Sequence, residues 1–225
     1  MKQVKWLALA SLVMLAACKS SHITSTWKAK STTESRYNKI LVLGLIREDD
    51  RRLQEKMEDH MAGDLKMLGY QAVTSVAEYG PKAFENLSES EALAKLKNSD
   101  IDAVITIVLV NKTVEKDFVP TNPRPHRNFI YFGGTRQPYY RFWNYYGAVK
   151  NRVFEPGYYV DNTKYLWESN LYELGSQSLV FSVQTKSFNP ASIESMGHEY
   201  GKMIIRSMEA KKVLKKQTDE PKKGF

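Results

Sequence analysis

Cys18 is the only cysteine in 225 residues, and it directly follows Leu15-Ala16-Ala17. Upstream lie Lys2 and Lys5, then a run from Trp6 to Ala17 in which Ser11 alone is polar. A basic start, a short apolar run and small residues at a cut site make the three-part pattern of a secretory signal. A thiol placed just after the small residues is the group that lipoprotein-processing enzymes alkylate with diacylglycerol before cleavage exposes it as a new amino terminus. The spacing therefore predicts that residues 1–17 are removed and that Cys18 carries the lipid, including acyl chains such as palmitate. A membrane-spanning reading fails on length, because spanning needs about 20 apolar residues. A plain secretory reading would leave Cys18 as a lone thiol in an oxidising compartment, where it invites unwanted pairing.

The other familiar chemistries lack their residues. No Gly-x-Ser-x-Gly elbow occurs, and Gly175-Ser176-Gln177 lies where a hairpin turn is expected. The histidines His22, His60, His126 and His198 are scattered, and His198-Glu199 is not followed by a histidine three residues on, so the zinc-protease pattern fails. With Cys18 committed to lipid, no cysteine metal site is available. No glycine-rich phosphate loop follows a strand. Asp49-Asp50 and the pair Glu115 and Asp117 read as helix-start and surface charges rather than as a glycosidase pair. The expectation is a protein without catalytic residues, metal or cofactor, and not an enzyme.

A different kind of chemistry is concentrated between Val119 and Tyr159. This stretch holds Pro120, Pro123, Pro125, Pro138 and Pro156 and the pair Gly133-Gly134, and fifteen aromatic residues fall between Phe129 and Tyr172. Its centre is Tyr139, Tyr140, Arg141, Phe142, Trp143, Tyr145 and Tyr146, broken only by Asn144. Disordered segments are poor in aromatics, so order is expected. Consecutive aromatics around an arginine cannot all point inward. Those left outside suit protein interfaces, sugar rings or the lipid headgroup level. The competing reading is that the segment folds back onto the sheet as core.

The elements that must position these residues follow from periodicity. Residues 18–38 are rich in Ser, Thr and Lys, which predicts a tether, with Ile23 to Trp27 as an edge strand. Lys39 to Ile46 and Ile101 to Val110 are continuous apolar runs, as in strands buried on both faces. Leu53, Met57, Met61, Leu65 and Leu68 recur at helical spacing before Gly69, and Gln71 to Val76 reads as a strand. Ser88 to Glu91 is a capping box opening a helix that ends near Asn98. Tyr165 to Leu171 and Leu179 to Val183 alternate around Leu174-Gly175-Ser176, which predicts an antiparallel hairpin. Asn189-Pro190 reads as the start of a last helix carrying Ile193, Met196, Tyr200, Met203, Ile204 and Met208. The fold class is α/β: a single domain at 39–212 with a mixed sheet, parallel plus an antiparallel hairpin, covered by helices. The aromatic stretch at 119–159 is its insertion, and 213–225 a basic disordered tail.

The order Ser25-x-Trp27, Lys39 to Leu45, Gly69 before Ala72-Val73-Thr74-Ser75, and Asp102-Ala103-Val104-Ile105 resembles a group of uncharacterised bacterial envelope lipoproteins. Pro156 to Tyr159, Glu168 to Tyr172 and Leu179 to Thr185 extend the similarity over most of the mature chain. At the level of fold the chain is similar to penicillin-binding-protein activator lipoproteins, the curli-secretion lipoprotein and the amino-terminal domain of the Tol translocation protein. The resemblance implies binding of other envelope proteins and no assigned reaction.

The formal charge is +8, and it stays positive once Lys2 and Lys5 are removed. Much of the excess sits at Lys211, Lys212, Lys215, Lys216, Lys222 and Lys223 and reads first as a solvated helix end with a disordered tail; as a partner signal in an exported protein it suits anionic headgroups or acidic glycans better than nucleic acid. Lys19, in place of an acid, favours the outer membrane, with the periplasmic face ahead of the cell surface. The resulting expectation is a lipid-anchored, non-catalytic adaptor with an envelope protein partner. The alternative is a glycan- or peptidoglycan-binding lipoprotein using the same aromatics.

Overall fold

The computed structural model describes residues 20–30, 37–47, 51–82, 84, 86–121, 142, 143, 146, 150 and 154–217. Six strands, β1 (Ser21–Lys28), β2 (Lys39–Leu45), β3 (Gln71–Thr74), β4 (Ala103–Pro120), β5 (Gly157–Glu173) and β6 (Ser178–Phe188), form one sheet in the order β1-β6-β5-β4-β2-β3. Four helices accompany them among the described residues: α1 (Arg51–Met67), α2 (Ser75–Tyr79), α3 (Glu89–Asn98) and α4 (Ile193–Ala210). The fold is mixed α/β. β2 pairs in parallel with β3 and β4, whereas β6 pairs antiparallel with β1 and β5. Leu174 N donates to Asp102 O and Asn170 N to Thr106 Oγ1, so β5 runs back along β4. The chain divides into two compact units, residues 1–113 with 164–225, and residues 114–163.

In the first unit the residue patterns explain the layers. Ile40 and Val42 of β2 point into the main core, Leu41 into a smaller one on the opposite face. That is why this strand reads as an unbroken apolar run. α1 lies against β2 and β3, α4 lies against β1 and β6, and the two helices pack on each other. Leu53, Met57, Met61 and Leu65 of α1 and Met196, Tyr200, Ile204 and Met208 of α4 are buried there. Each such side chain contributes about 1.5–3 kcal/mol. The smaller core holds Leu96 of α3 with Leu41, Ile101, Val104 and Leu174. The hairpin strands alternate instead. Trp167, Ser169 and Leu171 of β5 and Phe181, Val183 and Thr185 of β6 are buried, while Glu168, Asn170, Ser182 and Gln184 are half-buried between them.

Local signals act where expected in several places. Ser88 and Glu91 form the reciprocal capping box of α3. Gly69, at φ +91°, follows α1 in the left-handed region that glycine tolerates.

Other boundaries differ from the sequence expectation. β3 stops at Thr74, because the Thr74 side chain accepts from Ala77 N and caps α2. α4 begins only after Ser192, whose side chain accepts from Ser195 N, so Pro190 precedes the cap instead of occupying the first turn. β4 continues ten residues past Val110, and the second unit spans Val114–Thr163 rather than 119–159. Order also runs past residue 212. Val213 and Leu214 are buried, Tyr70 OH donates to Lys215 O at 2.9 Å, and Gln217 N donates to Leu68 O at 2.7 Å.

Candidate functional site

The second unit carries the aromatic residues singled out above. Its two described strand segments, the end of β4 and the start of β5, are joined at their tips. Thr121 donates to Pro156 O through both its backbone N and its Oγ1, each at 2.9 Å, and Asn162 Nδ2 donates to Asp117 Oδ2. Phe118 lies over Gly157, where a Cβ would fall 2.3 Å from its Cζ, and packs edge-on against Tyr159 at 5.5 Å. Only glycine admits that ring.

Phe142, Trp143 and Tyr146 are helical and stand together. Ring centroids are 5.1 Å apart for Phe142 and Trp143, 5.8 Å for Trp143 and Tyr146, and 5.7 Å for the stacked pair Phe142 and Tyr146. The i, i+4 spacing of a helix produces that stack. Lys150 Nζ sits 5.8 Å from the Tyr146 ring centroid, a cation–π contact one further turn along. The three rings are exposed, Trp143 by 73%. With Phe118, Phe154, Tyr158 and Tyr159, they give the second unit seven exposed aromatic side chains among its described residues. Tyr139, Tyr140, Arg141, Tyr145 and Cys18 lie outside the described residues.

The first unit contains two polar centres that the sequence reading missed. Glu58 of α1 is wholly buried and accepts four hydrogen bonds. Its donors are Gly44 N (2.8 Å), Gln54 Nε2 (2.9 Å), Ser75 Oγ (2.7 Å) and Val76 N (3.2 Å). The carboxylate thus ties the end of β2 to the first turn of α2, and its lone pairs are occupied by the chain itself. The readable signal was Gln54 and Glu58, four apart, inside the apolar stripe of Leu53, Met57 and Met61.

The second centre lies where α4 crosses α1. His60 Nε2 bonds Glu194 Oε1 at 2.8 Å, Lys56 Nζ pairs with Glu194 Oε2 at 3.0 Å, and the rings of His60 and His198 meet edge-on at 5.7 Å. Two histidines that are distant in sequence are therefore neighbours. Lys56 and His60 hold the Glu194 carboxyl below the ordinary range. Beneath them the Asp64 carboxyl is pushed up by burial, against the opposing pull of His198, His60, Lys202 and Arg206. Its Oδ2 has no hydrogen-bond partner. Even so, no group of three or more His, Cys, Asp or Glu side chains among the described residues converges to hold a metal ion.

No family model and no curated protein matches the chain. Solved structures similar to it include the PelC dodecamer of Paraburkholderia phytofirmans. The identity is 8% and the TM-score 0.42, covering 87% of this chain and 99% of that one. The lipoprotein GNA1162 of Neisseria meningitidis is similar at 9% identity and TM-score 0.41, over 77% of this chain and 99% of that one. A PDZ domain protein of Parabacteroides distasonis is similar at 10% identity and TM-score 0.35, over 97% of this chain and 40% of that one. Likeness this remote bears on neither activity nor partner, so the function must be argued from the residues.

Proposed function

We propose that this chain is a lipid-anchored envelope protein that works by binding, as a non-catalytic adaptor or assembly factor. The observation that carries the proposal is the exposed group Phe142, Trp143 and Tyr146. Tyr and Trp supply contact area at low entropic cost, and clusters of this kind are depleted from surfaces that meet only water. The non-catalytic part is supported by Glu58, a buried carboxylate whose hydrogen bonds all go to its own chain. Placement in the envelope rests on Lys2, Lys5, the apolar run and Cys18, and the choice of the outer membrane on Lys19. A glycan ligand is the second reading, because the stacked Phe142 and Tyr146 offer ring faces for a sugar.

The test is a triple substitution, Phe142→Ser with Trp143→Ser and Tyr146→Ser, compared with the unsubstituted chain when both carry a photo-crosslinkable residue at position 150, beside the Tyr146 ring, in living cells. The fold should hold, with Tm within about 2 °C of the unsubstituted chain, since exposed side chains contribute little to stability. A discrete protein crosslink should vanish in the triple variant. A large fall in Tm would make the three rings core. Retention on insoluble cell-wall glycan, lost in the variant, would favour the sugar reading instead.

A further inference from the structure

We propose that the first unit carries a binding site for the phosphate headgroup of anionic membrane lipids, in a cavity at the far end of β4, β5 and β6. The cavity, about 350 Å³ and open to solvent, is lined by Asn111, Thr113, Lys164, Tyr165, Lys186 and Phe188 together with Leu166. Lys164 faces Phe188, and Leu166 faces Lys186, across the β5–β6 ladder, so two ammonium groups and an aromatic wall are set by strand register. A third lysine, Lys112, lies over the Tyr165 ring at 5.6 Å. His22 of β1 stacks on Phe188, with centroids 5.8 Å apart and planes at 10°.

Lysine ammonium groups bind phosphate as point charges, and aromatic rings beside them suit the headgroup level of a bilayer. What places a bilayer here is the chain itself. Phe188 N donates to Ser20 O at 2.8 Å, so Ser20 is fixed to the wall of the cavity. Cys18 is two residues upstream, and two residues reach at most about 7 Å. A diacylglycerol on Cys18 therefore enters the membrane beside this cavity, where phosphates are the most abundant anions. The membrane source rests on the anchoring reading of Cys18, and the experiment below does not use the anchor.

Residues 19–225, made without lipid, keep every core residue, because the first described strand begins at Ser21. This chain is floated with vesicles of phosphatidylcholine alone or with one third phosphatidylglycerol. Binding should be confined to the anionic vesicles and should fall roughly tenfold or more in Lys164→Gln/Lys186→Gln, each juxtamembrane lysine being a substantial part of such binding. The charge-matched control Lys66→Gln/Lys97→Gln removes two exposed lysines at the opposite end of the sheet and should cost less than about threefold. Equal loss in the control would reduce the effect to net charge and overturn the site. Equal binding to phosphatidylcholine, or full binding by the first variant, would overturn it as well. Complete competition by millimolar inorganic phosphate would assign the cavity to free phosphate and remove the lipid. Failure of lipid labelling at Cys18 would remove the argument that sets a bilayer beside the cavity, whereas the vesicle comparison tests the cavity itself without the anchor.

Discussion

At the scale of single residues, the informative side chains are the buried acids, Glu58 and Asp64, and they behave differently. Glu58 is satisfied by four donors. Asp64 has a buried oxygen without a partner and a carboxyl raised by burial. The folded state thus holds the Asp64 proton more firmly than the unfolded chain does. Stability from this group is present at low pH and is lost as pH rises through the raised value. Asn cannot ionise, so Asp64→Asn should gain stability relative to the unsubstituted chain between about pH 3 and pH 7. Urea unfolding at both pH values measures this; a difference that is constant or falls with pH would show that His60, His198, Lys202 and Arg206 outweigh burial. Neither acid was recognised as buried from sequence, although both sit within the apolar stripe of α1. Periodicity counts apolar positions and does not register a polar residue whose partners lie on β2, α2 or α4.

Among the elements, the crossing of α1 and α4 is fixed by Gly197 and Gly201, four apart on one face of α4. A Cβ at Gly197 would lie 2.8 Å from His60 Cδ2 and 3.2 Å from Lys56 O; at Gly201 it would lie 2.7 Å from Asp64 Oδ2 and 3.3 Å from Met61 N. Helix propensity alone favours Ala over Gly by roughly 1 kcal/mol. Close approach of α1 backbone at both positions opposes it, and overpacking typically costs 1–3 kcal/mol. Gly197→Ala and Gly201→Ala should therefore lower Tm, whereas Ala at Gly63, with nothing within 4 Å of its Cβ, should not. A rise in Tm at Gly201 would mean that the helices part without cost. Elements with one buried face were legible in advance, as Leu53 to Leu65 and Tyr165 to Leu171 show. The outer half of β4 was not, because from Val110 to Phe118 every residue is exposed and no alternation marks a strand. The start of α4 was misread because Pro190 suits a first turn, yet Ser192 supplies the oxygen that caps the helix.

Considered as a whole, the molecule has a sheet-and-helix unit built around a buried core and a second unit rich in exposed rings. Its covalent chemistry is reduced to one thiol. Because Cys18 has no second cysteine to pair with, the fold depends on cores such as that of Trp167, Phe181 and Tyr200 and not on a disulfide. The thiol is then free for the use its flanking residues predict. Cys18→Ala should abolish incorporation of labelled palmitate in cells and leave a precursor that retains residues 1–17, seen as a slower band and confirmed by intact mass. Labelling that persists in the alanine variant would place the acyl group elsewhere. It would also remove the argument that sets a bilayer within about 7 Å of Ser20, while binding of the unlipidated chain to anionic vesicles would still be measured independently.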